Sequence, residues 1–136
     1  MADCVFCKII AGEIPAAKLV ETDKVVSFLD ANPVNPGHAL IVPRRHASSF
    51  LDLQQNELHV MIFVARRVAA AVTEATGSPA FNILQNDGEA AGQIVDHCHM
   101  HVIPRAPEDG FSLGWRQLSY QEGELEALQE AIRRRL

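Results

Sequence analysis

His97-Cys98-His99-Met100-His101-Val102-Ile103 sets three histidines in alternation with apolar side chains, and Pro104 follows. In an extended strand successive side chains point to opposite faces. His97, His99 and His101 therefore line up on one face, and Cys98, Met100 and Val102 on the other. The stretch predicts a strand that packs with one face and does chemistry with the other. Just upstream, Asp87-Gly88-Glu89-Ala90-Ala91-Gly92-Gln93 is a glycine-bearing loop, and residues 80–86, Ala-Phe-Asn-Ile-Leu-Gln-Asn, form a second strand-like run. The two runs are expected to pair as antiparallel neighbours.

Further toward the N-terminus, residues 52–76 carry the helical period. Asp52 is a candidate cap, Gln55 a capping-box partner and Gly77 a stop. At 100° per residue His59, Arg66, Arg67, Thr73 and Glu74 fall within about a third of the circumference. Leu58, Val60, Met61, Ile62, Val64, Ala65, Val68, Ala69 and Val72 occupy the rest, an arc wider than one core face needs, and part of it is expected to form a subunit interface. Residues 38–42 read as a strand delivered by the turn-rich loop 31–37. Residues 17–21 and 25–29 read as a hairpin around Thr22-Asp23-Lys24, with Asp30 at its end. Cys4 to Ile10 reads as a short helix or tight turn. At the other end Ser119 and Glu122 suggest a capping box before a Leu125, Leu128, Ile132 stripe, with Arg133-Arg134-Arg135 in the last turn. This order predicts an α+β domain over residues 1–136, an antiparallel sheet with helices on one side.

The chain has 136 residues, of which 48% are hydrophobic, enough for a full core. Twelve Lys and Arg stand against 17 Asp and Glu, a net charge of −5 that disfavours nucleic acid as a partner. No run approaches the roughly 20 apolar residues of a membrane span, and the first residues do not resemble a secretory leader, so a cytoplasmic protein is expected. Three cysteines, two of them in the pair Cys4-x-x-Cys7, point in a reducing compartment to metal or redox chemistry, or to buried thiols.

Alternate strand residues lie about 6.5–7 Å apart, so the motif offers a row of imidazoles suited to serve as nucleophile, acid, base, phosphate donor or metal ligand. A metal-binding row is the chemical rival, and it requires a further ligand aimed at the same ion.

These residues resemble the histidine triad (HIT) family of nucleotidyl hydrolases and transferases, whose motif alternates three histidines with apolar residues and ends on two apolar positions. The likeness extends to Phe6-Cys7-Lys8-Ile9-Ile10, Glu13-Ile14-Pro15, Phe28-Leu29-Asp30, residues 37–43 and residues 86–105. It implies a five-stranded antiparallel meander that dimerises through the long helix and an adjoining strand. It implies His99 as the nucleophile toward the α-phosphorus of a purine nucleotide, passing through a nucleotidyl-histidine. The substrates implied are nucleoside phosphoramidates or dinucleoside polyphosphates. His101 and His38 take the family positions that bind phosphate. His97 orients the central ring or joins a metal site. Phe6, Ile9 and Phe28 match the base pocket, Asp30 the ribose acceptor, and Asn86 with the Gly92-Gln93 backbone the phosphate or leaving-group contacts. Members with the N-terminal cysteine pair imply a structural zinc on Cys4, Cys7, His46 and His97. Ile94 departs from the serine or threonine of the family branches and offers only its backbone N–H. A zinc-dependent hydrolase and a non-catalytic nucleotide-binding module are the alternative readings.

Overall fold

The computed structural model describes residues 3–136. Five antiparallel strands, β1 Lys18–Glu21, β2 Val25–Leu29, β3 Ala39–Pro43, β4 Ala80–Gln85 and β5 Met100–Arg105, form one sheet in the order β1-β2-β3-β5-β4. Three helices accompany it: α1 Val5–Ile10, α2 Gln55–Thr76 and α3 Glu124–Arg133. The antiparallel α+β architecture is the expected one. The meander, however, runs only through β1, β2 and β3. The 22-residue α2 then carries the chain past the growing edge, so that β4 takes the outside and β5 returns between β4 and β3. That return places the second half of the histidine motif, from Met100 on, inside the sheet.

The period of two separates the core into two layers. Val25, Ala39, Ile41, Met100 and Val102 pack against Met61, Val64, Ala65, Val68, Ala69 and Val72 of α2. Val26, Phe28, Leu40 and Val42 point the other way, onto Phe6 and Ile9 of α1. The helices are therefore not all on one side: α1 closes the face that carries the catalytic candidates. The β1–β2 turn is held by the Thr22 hydroxyl, which accepts from the N–H groups of Lys24 and Val25 at 3.2 and 2.9 Å.

Two helix starts differ from expectation. Gln54, not Asp52, caps α2, and Glu57 supplies the capping-box carboxylate to the Gln54 N–H. Leu53 is buried and extended, which breaks the chain between the 3₁₀ turn Phe50–Asp52 and the helix. The Asp52 carbonyl receives Arg45 Nη2 at 2.9 Å. α3 begins at Glu124, after Gly123, so Ser119 and Glu122 lie in the segment that leads to it. Its Leu125, Leu128, Ile132 stripe remains exposed. Among the described residues, no helix is long and apolar enough to cross a membrane.

Candidate active site and adjoining metal centre

The motif straddles the entry to β5. Met100, His101 and Val102 are in the sheet, paired with Ile41, Leu40 and Ala39. The first half lies outside the ladder, with His97 in a bend; there the Cys98 N–H donates to the Ala47 carbonyl at 2.7 Å. His38 enters from the opposite side, immediately before β3. Gly37 makes this approach possible: its φ is +92°, and a Cβ there would lie 3.0 Å from Thr76 Cγ2 and 3.2 Å from Pro104 Cγ. The chain thus brings His38 beside His101, their ring nitrogens 2.9 Å apart.

Backbone partners fix which nitrogen carries the proton on each neutral ring. The Val34 N–H donates to His38 Nδ1 at 3.0 Å, so His38 bears its proton on Nε2 and donates it to His101 Nδ1. His101 therefore keeps its N–H on Nε2. His99 donates from Nδ1 to the His97 carbonyl at 2.7 Å, which leaves the Nε2 lone pair free. His97 donates from Nε2 to the Pro43 carbonyl at 2.8 Å, leaving the Nδ1 lone pair toward the thiols. Burial keeps these rings neutral. It lowers the pKa of His38, His97 and His99 below the usual histidine value, and together with repulsion from His99 and His38 it holds His101 at about 4.

The three triad rings thus diverge in partner and do not converge on one ion. Asp30, His38 and His101 do place donor atoms within 4.8 Å of one another. The short His38–His101 edge is nonetheless bridged by a proton, because His38 Nδ1 is already an acceptor. Asp30 stands 3.7 Å from His38 Nε2 and opposes the effect of burial on that ring.

Phe6, Ile9 and Phe28 come together as the sequence suggests, all buried. The Phe6 ring stands edge-on to His99 with centroids 5.0 Å apart, and to Phe28 at 5.6 Å. Asn86 lies against the return loop, its Nδ2 3.6 Å from the position of a Cβ on Gly92. The Gly92 and Gln93 N–H groups are engaged within that loop, donating to the Glu89 and Gly88 carbonyls at 2.9 and 3.1 Å. The Gln93 side chain is engaged as well, with Gly88, Ser48 and Val95. The two residues expected to offer backbone donors to phosphate therefore brace the loop here. Ile94 projects from the same loop, almost fully exposed.

Cys4, Cys7, His46 and His97 bring four ligand atoms within 4.8 Å of one another. Cys4 Sγ lies 3.3 Å and Cys7 Sγ 3.6 Å from His97 Nδ1, and Cys7 Sγ lies 3.4 Å from His46 Nδ1. A tetrahedral zinc with bonds of about 2.3 Å to sulfur and 2.0–2.1 Å to nitrogen has sulfur–nitrogen edges of about 3.5 Å. The donor spacing fits that tetrahedron. The Pro43 carbonyl supplies the outer hydrogen bond that metal-binding histidines generally have on the second nitrogen. Cys98 lies apart: it is fully buried, and burial raises its thiol to about 11.

A profile of the HIT domain matches residues 11–108. The chain belongs to the HIT family. The adenosine 5′-monophosphoramidase of Schizosaccharomyces pombe is 39% identical over 130 residues, 95% of each chain. The crystal structure of a HIT family member from Bacillus subtilis superposes with a TM-score of 0.93 at 36% identity, covering 98% of this chain and 97% of that one. A zinc-bound histidine triad protein from Mycobacterium smegmatis superposes at 0.75 with 34% identity, covering 98% and 95%. Three contributors to this HIT site left no mark in the sequence: the Val34 N–H and the carbonyls of Pro43 and His97 are backbone groups that carry no side-chain signature. Asp87 had a signal, an aspartate opening a glycine-bearing loop. Its Oδ2 clips that loop to the turn before α2 by accepting from Ser49 Oγ at 3.0 Å and from the Phe50 N–H.

Proposed function

We propose that this HIT chain is a nucleotidyl hydrolase and transferase that cleaves at the α-phosphate of purine nucleotides through a covalent nucleotidyl-His99. The observation that carries the reading is the 2.7 Å bond from His99 Nδ1 to the His97 carbonyl, which makes Nε2 the nucleophilic lone pair. His99 Nε2 attacks the α-phosphorus, and the bond from phosphorus to the leaving group breaks, the departing amine leaving with a proton taken from solvent. The Nδ1–H then carries the positive charge that develops on the ring, and the His97 carbonyl stabilises it. The Nε2–H of His101, set by His38, donates to the phosphate oxygens as their charge grows. Water then attacks the same phosphorus and gives up a proton to solvent, the bond from phosphorus to Nε2 breaks with its electron pair returning to the ring, and the nucleoside monophosphate leaves with His99 neutral again.

Phe6, Ile9 and Phe28 wall the base, and Asp30 accepts from the ribose hydroxyls. Asn86 and the Gly92-Gln93 segment shape the phosphate end, where the unsubstituted Ile94 N–H serves as donor. The name of the fission-yeast relative favours an amine leaving group over a second nucleotide. The non-catalytic alternative requires His99→Ala to change nothing measurable, whereas this mechanism predicts that it lowers kcat about 10⁴-fold or more. The test is turnover of an adenosine phosphoramidate and a diadenosine polyphosphate by wild type and His99→Ala. Equal rates in the two proteins overturn the proposal.

Cys4, Cys7, His46 and His97 are proposed to hold a structural zinc, which when bound ties α1 to the motif. The whole chain is taken as one domain in the cytoplasm, acting as a homodimer. Ile62 and Phe63 on α2 are 55% and 59% exposed. Phe81 and Ile83 on β4 are 47% and 39% exposed, and the outer edge of β4 has no neighbouring strand among the described residues. An apolar patch along an open strand edge favours pairing with a second copy.

A further inference from the structure

The structure ties the cysteine pair to the nucleophile by two separate contacts. Phe6, which lies between Cys4 and Cys7, sets its ring edge-on to His99 with centroids 5.0 Å apart. His97, whose Nδ1 faces both sulfurs, presents the carbonyl that holds His99 Nδ1–H. Cys4 caps α1, with its sulfur accepting from the Cys7 N–H at 3.4 Å, and the two sulfurs lie within 4.8 Å of one another. Both are partly exposed, whereas Cys98 is sealed in the core.

We propose that Cys4 and Cys7 are a reversible oxidation site for hydroperoxides, and that forming their disulfide releases the zinc and withdraws support from His99. The inference rests on the zinc reading above. One thiolate attacks the peroxide oxygen; an S–O bond forms, the O–O bond breaks, and with one proton an alcohol or water leaves. The second thiolate then attacks that sulfur, and with a second proton water departs as the S–S bond closes. Two thiolates give up two electrons and the peroxide takes them. A sulfur–sulfur distance of about 2.05 Å leaves no thiolate for the metal. His46 and His97 alone are too few ligands for a closed structural site. His97 then loses its hold on one side and Phe6 shifts with its flanking cysteines.

The test treats zinc-loaded wild-type protein with hydrogen peroxide and reads three quantities. The expected result is one equivalent of zinc passed to a chromogenic chelator and two hydrogens lost from the peptide that carries Cys4 and Cys7. Phosphoramidate turnover falls about 10-fold or more, and thiol reductant plus zinc restores it. Cys98 remains a free thiol and serves as the internal reference. A preparation that takes up no zinc refutes the zinc reading, yet the disulfide and the turnover still decide the oxidation site. Turnover unchanged once the disulfide has formed overturns the proposal, as does oxidation that bypasses the pair and strikes Cys98.

Discussion

Replacing Gly37 by alanine tests whether the loop before β3 is what sets His38 against His101. Two costs add. A φ of +92° is unfavourable for an L-residue by about 1–2 kcal/mol. The new methyl would meet Thr76 Cγ2 at 3.0 Å and Pro104 Cγ at 3.2 Å. Easing those contacts costs a further 1–2 kcal/mol, roughly, at the low end for overpacking. For 136 residues the unfolding entropy is about 0.29 kcal/mol per degree, so a loss of about 2–4 kcal/mol lowers Tm by roughly 7–14 °C. Gly77 is the matched control: it closes α2 at φ +66°, and a Cβ there meets nothing within 4 Å. Gly77→Ala incurs the conformational cost alone, roughly 3–7 °C. The second readout is turnover. Gly37→Ala shifts the residue next to His38 and lowers kcat, whereas Gly77→Ala leaves kcat near wild type at temperatures where both are folded. Thermal melts and initial rates of the two variants side by side decide it. Equal losses in Tm with equal kcat would refute the crowding argument.

The buried histidines make stability depend on pH. Above the ordinary histidine pKa near 6.5, folded and unfolded chains are both neutral at His38 and His101. Below it the unfolded chain takes up protons that burial makes the folded chain resist at both rings, at His101 until about pH 4. Tm is expected to be level above pH 7 and to fall between 6.5 and 4, with a shallower fall in His101→Asn; parallel slopes refute this. Stripping zinc with a strong chelator is expected to lower Tm reversibly. The stabilisation at a free zinc concentration 1,000 times Kd is about 4 kcal/mol, and no stoichiometric uptake on refilling would contradict it. The double substitution Ile62→Glu and Ile83→Glu is expected to give a folded monomer by sedimentation; an unchanged dimer would place the interface elsewhere.

Much of this architecture is legible in the residues themselves. The period of two in the motif separated its packing side chains from its histidines, and the period of 3.6 located α2 itself. What local patterns missed are the places where tertiary contacts prevailed. Leu53 plugs into the core and delays α2 past the attractive Asp52 cap. β5 inserts beside β3 because α2 has already carried β4 to the edge, a matter of sheet closure that no single segment encodes. The site divides in the same way. His38, Asp30 and the cysteines were recognisable as residue types, and the structure brings them to the motif. The proton positions on the rings depend on Val34, Pro43 and His97 backbone groups, and the engagement of Gln93 depends on how its loop folds.

Everything in the mechanism turns on a bond between His99 Nε2 and phosphorus. The measurement that addresses it most directly is intact-mass analysis of acid-free, rapidly quenched protein mixed with an adenosine phosphoramidate. A His101→Ala variant is used so that turnover of the intermediate is slow. A protein heavier by one AMP is expected, with the added mass on the peptide containing His99 and absent when His99→Ala is added to that variant. Substrate consumed with no adduct at any quench time, or an adduct that persists without His99, would contradict it.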